Sequence, residues 1–442
     1  MAKKKTEKAE KKSPFVPVEE QPYQVPRNWC WVTVESINHY SGGSVDPAAM
    51  PDDTFELYSV PSSANDFPEI VTGVEIGSSK QTVMEGDVLL CKINPRINRV
   101  WMVSKYTENI LLASSEWIVV RNEQIDSRYL MYCFRSQFFR EYMLSNVSGV
   151  GGSLMRAQPK FVKGYPVPVA PLAEQQRIVD RIESLFAKLD EAKEKAQEAL
   201  ESFEARKVSI LRKAFSGELT GTFPSFPNHN KALEDVCFSI YDGDHMPPPK
   251  SDTGIAFLVI SDINTGHLSF EKARYVPEEY YNSLTDTRKP QKGDVLYTLV
   301  GSYGIAVLVD SDRPFCFQRH MALLKPNNEE ILSQYLWYIL QSHDVFEQAT
   351  DIATGTAQLT VPIKGLRKVR ISVPYLEEQT EIVRILDNFF AKEAEAKAKV
   401  EATLESIDTM KKSILAKAFR GELGTSNPED ESAEELLKRT LA

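Results

Sequence analysis

Between Pro171 and Thr220, apolar or small residues fall at Ile178, Ile182, Leu185, Leu189, Ala192, Ala196, Ala199, Phe203, Ile210 and Ala214. This is the 4-3 alternation of a coiled-coil seam, with Glu, Lys and Arg of alternating sign between its positions. The pattern returns at Ile382, Leu386, Phe389, Ala396, Val400, Thr403, Ile407, Met410, Ile414 and Ala418. Pairing residues 174–219 with those 204 positions later gives 24 identities in 46 places without a gap, so the stretch is an internal repeat. Neither copy meets Gly or Pro before Gly217 and Gly421. Each copy therefore predicts a helix of roughly 40 residues, about 60 Å long at about 1.5 Å per residue. A helix of that length with one apolar seam needs a partner along it. The other copy, packed antiparallel, supplies one. Glu393 replaces Leu189 of the first copy as a polar position in the seam, a place where register can be set.

The rest of the chain repeats with the helices. Short β-rich runs at Glu56–Val60, Glu85–Ile93, Arg99–Val103 and Ser115–Val120 lead to an aromatic helix, DSRYLMYCFRSQFFREYML, and a Gly-rich loop. After the first long helix, KGDVLYTLVGSYG matches EGDVLLCKINPR, LSQYLWYILQSHDVFEQAT matches the aromatic helix, and TGTAQL replaces the Gly-rich loop. Both aromatic helices read as core. The expected architecture is mixed α/β and pseudo-twofold symmetric, with two repeated globular domains separated by two long helices in an antiparallel coiled coil. Its parts are a flexible basic tail (1–25), a first domain (26–170), a central helix (171–220), a linker (221–231), a second domain (232–373), a distal helix (374–424) and an acidic tail (425–442).

Composition narrows the function. With 442 residues, 42% hydrophobic and 26% charged, the chain has room for two or three globular units. Its apolar runs, such as 305–309, fall far short of the roughly 20 residues that span a bilayer, so a soluble protein without a membrane partner is expected. The start is basic with no apolar stretch behind it, unlike a secretory signal. Cys30, Cys91, Cys133, Cys237 and Cys316 are odd in number and never at ligand spacing, which reads as reduced thiols in a cytoplasm. The six histidines form no metal-binding pair. No Gly-rich S-adenosylmethionine loop, N-P-P-Y-like tetrad or Walker-type phosphate loop is present; NPRI at 94–97 shares only two residues with such a tetrad. The chain reads as a non-catalytic one that binds no cofactor. A net charge of −10 argues against an indiscriminate polyanion binder, but basic clusters stand at 91–99 and 364–370.

In this arrangement the chain resembles the specificity subunits of type I restriction-modification enzymes. The resemblance rests on the two-domain, two-helix repeat; on the helix-start motifs PLAEQQRIV and PYLEEQTEIV, each one proline short of the family's usual P-P-L-x-E-Q; and on DGDHMPPPKSDTGIAFL, TLVGSYGIAVLVD and TGTAQ in the second domain. It spans roughly residues 26–424 and is weaker in the first domain, where GVGGSLMR stands in place of TGTAQLT. It implies two target-recognition domains that each read half of a split site in double-stranded DNA, with the helix pair setting the spacer. It also implies two methyltransferase subunits, restriction or translocase subunits, and a bacterial or archaeal cytoplasm. S-adenosylmethionine, ATP and Mg²⁺ would belong to those partners.

Candidate DNA contacts follow from side-chain chemistry. Lys92, Asn94, Arg96, Asn98 and Arg99 put cationic and amide groups on the loop after a strand, and Arg and Asn pair bidentately with guanine and adenine edges; a solvated turn is the plain alternative. Asp244 and His245 precede a Pro-rich loop, either reading bases or capping the turn at Gly243. Ser302 and Tyr303 lie between Gly301 and Gly304, where backbone can approach a partner or simply turn. Arg313, Arg319 and His320 are candidates for phosphate. Two rival functions remain at this point: a coiled-coil scaffold joining two peptide- or protein-binding domains, and a stand-alone methyltransferase.

Overall fold

A computed structural model of the chain describes residues 13–145, 147–148, 155–221, 229–243, 248–356 and 358–441. The chain divides into two compact units, one of residues 1–195 and 403–442, the other of residues 196–402. The dividing line cuts through both long helices, Leu172–Phe215 and Leu376–Ala418. Each unit thus holds one globular domain, the start of one long helix and the end of the other.

In the first unit a five-stranded sheet runs in the order Ser44–Val45, Lys80–Thr82, Ile110–Ala113, Thr54–Tyr58, Glu69–Thr72, beside a three-stranded sheet with Val88–Cys91 at its centre. The second unit has a four-stranded sheet ordered Cys237–Asp242, Met321–Pro326, Val295–Thr298, Ala306–Leu308, and a three-stranded sheet centred on Ile255–Leu258. The aromatic stretch is two helices in each unit, Ser127–Arg135 with Gln137–Ser145, and Ser333–Ile339 with His343–Ile352. The break has a local cause. Ser136 is extended at ψ 154° and its hydroxyl accepts from Phe139 N at 3.3 Å, capping the second helix, and Ser342 does the same for Val345. Tyr129, Phe134, Phe139, Tyr335 and Leu336 are buried, so these helices are core.

Within each unit the helix ends run antiparallel. In the first, Lys411 pairs with Asp190 at 2.5 Å and Arg177 with Asp430; in the second, Arg206 lies 3.4 Å from Glu393 and Thr220 bonds Glu378 at 2.9 Å. Ile178, Val179 and Ile182 share a core with Leu415, Ala418 and Phe419, as Leu211 and Ala214 do with Ile382 and Leu386. The predicted seam needs correction: Ala192, Ala396, Thr403 and Met410 are exposed, while at the ends Leu211, Leu415 and Phe419, outside the predicted seam, are buried. A straight helix drifts about 20° per heptad relative to a strict seven-residue repeat. Near each domain the buried face also widens, because it meets the domain as well as its partner helix.

The terminal assignments change too. Residues 13–25 are not a free tail: Phe15 bridges Val32, and Tyr23 packs edge-on against Trp31 with centroids 4.9 Å apart. The acidic end forms a helix, Ala433–Leu441, with Ala433 and Leu437 buried in the first unit's core. Asn230–Ala232, which straddles the expected end of the linker at residue 231, is a strand paired with Arg370–Ser372. No helix among the described residues is long and apolar enough to cross a membrane.

Candidate nucleic-acid interface

The loop of residues 92–99 joins the antiparallel strands Val88–Cys91 and Val100–Met102, in which Leu89 faces Trp101. Asn94 N donates to Met155 O at 2.9 Å and Ala157 N to Lys92 O at 2.9 Å, stitching the loop to the segment after the Gly-rich stretch. Asn94 and Asn98 have φ of +47° and +51°, the left-handed region that Asn tolerates better than most residues. The Asn98 amide donates to Phe134 O at 2.9 Å, and the Lys92 ammonium to the carbonyl of Ser115. Those two side chains are therefore bound to their own domain, whereas the Arg96 side chain is exposed and Arg99 faces a cleft.

The corresponding loop of the second unit, residues 299–305, joins Val295–Thr298 to Ala306–Leu308. Gly301 N donates to Leu359 O at 3.0 Å, as Asn94 N does to Met155 O, an acceptor 204 positions earlier, and Gly301 and Gly304 carry φ of +72° and +93°. Glycine thus fills the left-handed positions that asparagine fills in the first unit. Ser302 is exposed. Tyr303 stacks on Phe346 with centroids 5.4 Å apart, its hydroxyl 3.0 Å from Thr350 Oγ1. Leu299 N bonds His320 O at 2.8 Å, which brings Arg319 and His320 to the same rim. Burial, and then Arg319, lower the His320 pKa below its ordinary value, so the ring is neutral at pH 7. Gly243 arrives there as well, close enough that a Cβ would meet Phe317 O at 2.5 Å. Its successors Asp244 and His245 lie outside the described residues. Arg313 stands at the opposite end of strand Phe315–Phe317, its guanidinium 4.3 Å from the Phe270 ring centroid, and is not part of this rim.

Three further pairs of residues hold these surfaces in place, and sequence reasoning passed over their roles. Gln175 and Gln379 of the helix-start motifs are fully buried. Gln175 Oε1 accepts from Asp126 N at 2.9 Å and Gln379 Oε1 from Leu332 N at 2.8 Å, so each ties its long helix to an aromatic helix. Glu174 accepts from Trp29 Nε1 at 2.9 Å and from Thr425 at 3.2 Å, while Glu378 accepts from Thr220. In each unit the start of one long helix is thereby clasped to the segment that ends the other. The Asp of each G-D-V strand start caps a turn and pairs with a cation of the neighbouring strand in the sheet: Asp87 with Arg121 through two contacts of 2.7 Å, Asp294 with Lys325 at 2.6 Å. The signal for all three was their recurrence in both copies.

The family model for the type I restriction modification DNA specificity domain matches residues 26–202 and 250–406. The chain is 26% identical over 353 residues to the type I restriction enzyme EcoKI specificity subunit of Escherichia coli (strain K12), covering 73% of each protein. It is 24% identical over 421 residues to the MjaVIII specificity subunit of Methanocaldococcus jannaschii, covering 91% of this chain and 95% of that one. Among solved structures, the HsdS subunit from Thermoanaerobacter tengcongensis aligns with a TM-score of 0.64 at 24% identity, over 92% of this chain and all of that one. A chain from a type I R-M system, solved to study its assembly and conformational transition, aligns with a TM-score of 0.74 at 23% identity, over 91% and 100%.

Proposed function

Because the chain belongs to the type I restriction-modification DNA specificity family, we propose that each unit reads one half of a split DNA site in the major groove. The two long helices, each continuous through both units, then set the spacer between the halves. The observation that carries this reading is the duplicated device: two hairpin loops of different surface chemistry, in units that share the contacts of a buried Gln, a buried Asp and a helix-start Glu. A reader of two unrelated half-sites needs that combination, a constant frame and divergent loops. A scaffold for protein-binding domains has no support from the family match.

Methyl transfer would come from two methyltransferase subunits docked on this chain, with S-adenosylmethionine on them. Restriction or translocase subunits would carry ATP and Mg²⁺. In a test, the purified chain with S-adenosylmethionine and duplex DNA should transfer no methyl group. Addition of a methyltransferase subunit should give methylation confined to one split sequence. Methylation by the chain alone, or methylation without sequence preference in the complex, would overturn the reading.

A further inference from the structure

A cleft of about 670 Å³ in the first unit is lined by Arg96, Arg99, Arg135, Arg140 and Lys412, with no carboxylate among the described residues of its wall. The chain as a whole has 62 acidic against 52 basic residues, so five cations without an acid run against its composition. Among the described residues none of the five forms an ion pair. Two are pre-positioned: Arg135 donates through Nε and Nη2 to Val100 O, at 3.3 and 3.0 Å, and Arg140 through Nε to Arg96 O at 2.7 Å. Both Nη groups of Arg140 and Nη1 of Arg135 remain available. Clustered like charges destabilise the compact state unless an anion offsets them.

The fold itself does not demand this charge. Gln175 and Gln379 bind Asp126 and Leu332, which aligns Arg135 with Gln341 and Arg140 with Phe346 in the second unit. The hairpin registers align Arg99 with Ile305 and put Ser302 and Tyr303 where Arg96 stands; the helix repeat aligns Lys412 with Val208. No cation occupies any of these places, and Tyr303 stacks on Phe346 where the first unit has Arg140.

We propose that this cleft is a holding site for backbone phosphate of duplex DNA, peculiar to the first unit and completed by Lys412 from the second copy's long helix. The inference rests on the DNA-reading function above. Guanidinium forks and an ammonium supply the charge-assisted donors that phosphate oxygens accept. Such contacts position a duplex without specifying its sequence. The first half-site is accordingly gripped more electrostatically than the second.

The test uses the full-length chain, as wild type, Arg96→Gln, Lys412→Gln and the double variant, with circular dichroism confirming that the exposed substitutions leave the fold intact. Binding to a duplex carrying the split site and to a scrambled duplex is measured across sodium chloride concentrations. Each single variant should flatten the slope of log affinity against log salt by about 1 and weaken binding about tenfold near 0.1 M salt. The ratio of site to scrambled affinity should not change. Unchanged slopes with site preference intact would sink the cleft while leaving the DNA-reading function standing. A changed ratio at constant slope would make these residues base readers and overturn the phosphate assignment. A wild-type chain with no site preference would remove the function, and this inference with it.

Discussion

The two units agree where they are buried and differ where they are open. Gln175 and Gln379 make equivalent bonds, as do Glu174 and Glu378, and Asp87 and Asp294. The hairpin loops carried by that frame share their left-handed turns and one backbone bond, from Asn94 or Gly301, but not their side chains. Asn and four arginines mark the first loop's surroundings, while Gly, Ser and a Tyr–Phe stack mark the second's. The difference separates two jobs. Buried polar groups are costly to leave unpaired, so the frame tolerates little change. Exposed loop side chains lack that constraint and are free to set what each unit reads.

The largest test of the frame is its buried ion pair. Asp87→Ala strands Arg121 against a site where the Asp87 side chain was fully buried, and should cost about 3–5 kcal/mol in urea unfolding of the first unit. Asp294→Ala should fall at the low end of that range. Burial, more than Lys325 offsets, holds the Asp294 carboxyl above its ordinary value, and only one of its oxygens meets the cation. Equal losses would show that the two ion pairs contribute alike despite their different geometry. Next come the helix-start glutamines. Gln379→Leu orphans Leu332 N, Glu330 O and Pro374 O, and Gln175→Leu orphans Asp126 N and Ala170 O. Losses of about 2–3 kcal/mol are expected, larger at Gln379, since each buried group left unpaired costs on the order of 1–3 kcal/mol. A shift in the urea midpoint no larger than that of a surface substitution would remove the glutamines from the frame.

The smallest effect sits where the long helices differ, at Glu393. Its Oε1 lies 3.4 Å from Arg206 Nε yet accepts no hydrogen bond among the described residues. Glu393→Leu, restoring the residue of the first copy, should be neutral or stabilising by up to about 1 kcal/mol. Burial first, offset by Arg206, raises the Glu393 carboxyl above its ordinary value. Stability linked to this group is therefore fully present below the unfolded pKa, about 4.3, and is lost as pH rises through the folded value. Glu393→Gln should then gain on the wild type as pH climbs from about 4 to 7. A constant difference over that window would show that the carboxyl titrates as an ordinary one.

The long helices were legible because a seam repeated twice leaves little room for another structure. The position of Met410 was not, since helical drift accumulates only in three dimensions. Ser44–Val45 and Lys80–Thr82 are short, polar strands with no apolar run to announce them. Within the candidate interface, Asn94 and Asn98 drew attention for their base-pairing chemistry, while their left-handed backbone suggests a turn role that Gly301 and Gly304 share. Arg135, Arg140 and Lys412 were missed because they belong to elements read as core helix and coiled coil. Only the fold brings them beside Arg96.

If two readers are held at a set spacing by the helices, shortening both helices together should change the spacing they accept. Deleting 191–197 and 395–401 removes one heptad from each copy and restores the seam with only about 20° of drift. Each helix shortens by about 10 Å at about 1.5 Å per residue, close to three base-pair steps of about 3.4 Å. Half-sites at the original spacing would then be out of phase by roughly a quarter to a third of a DNA turn. Methylated sites would be sequenced in a strain carrying the deleted chain with its methyltransferase partner. The parental split site should be lost, with each half-site preference kept and a shorter spacer accepted. Methylation of the parental site at its original spacing and full efficiency, by a folded variant, would mean that the helices do not set the spacer.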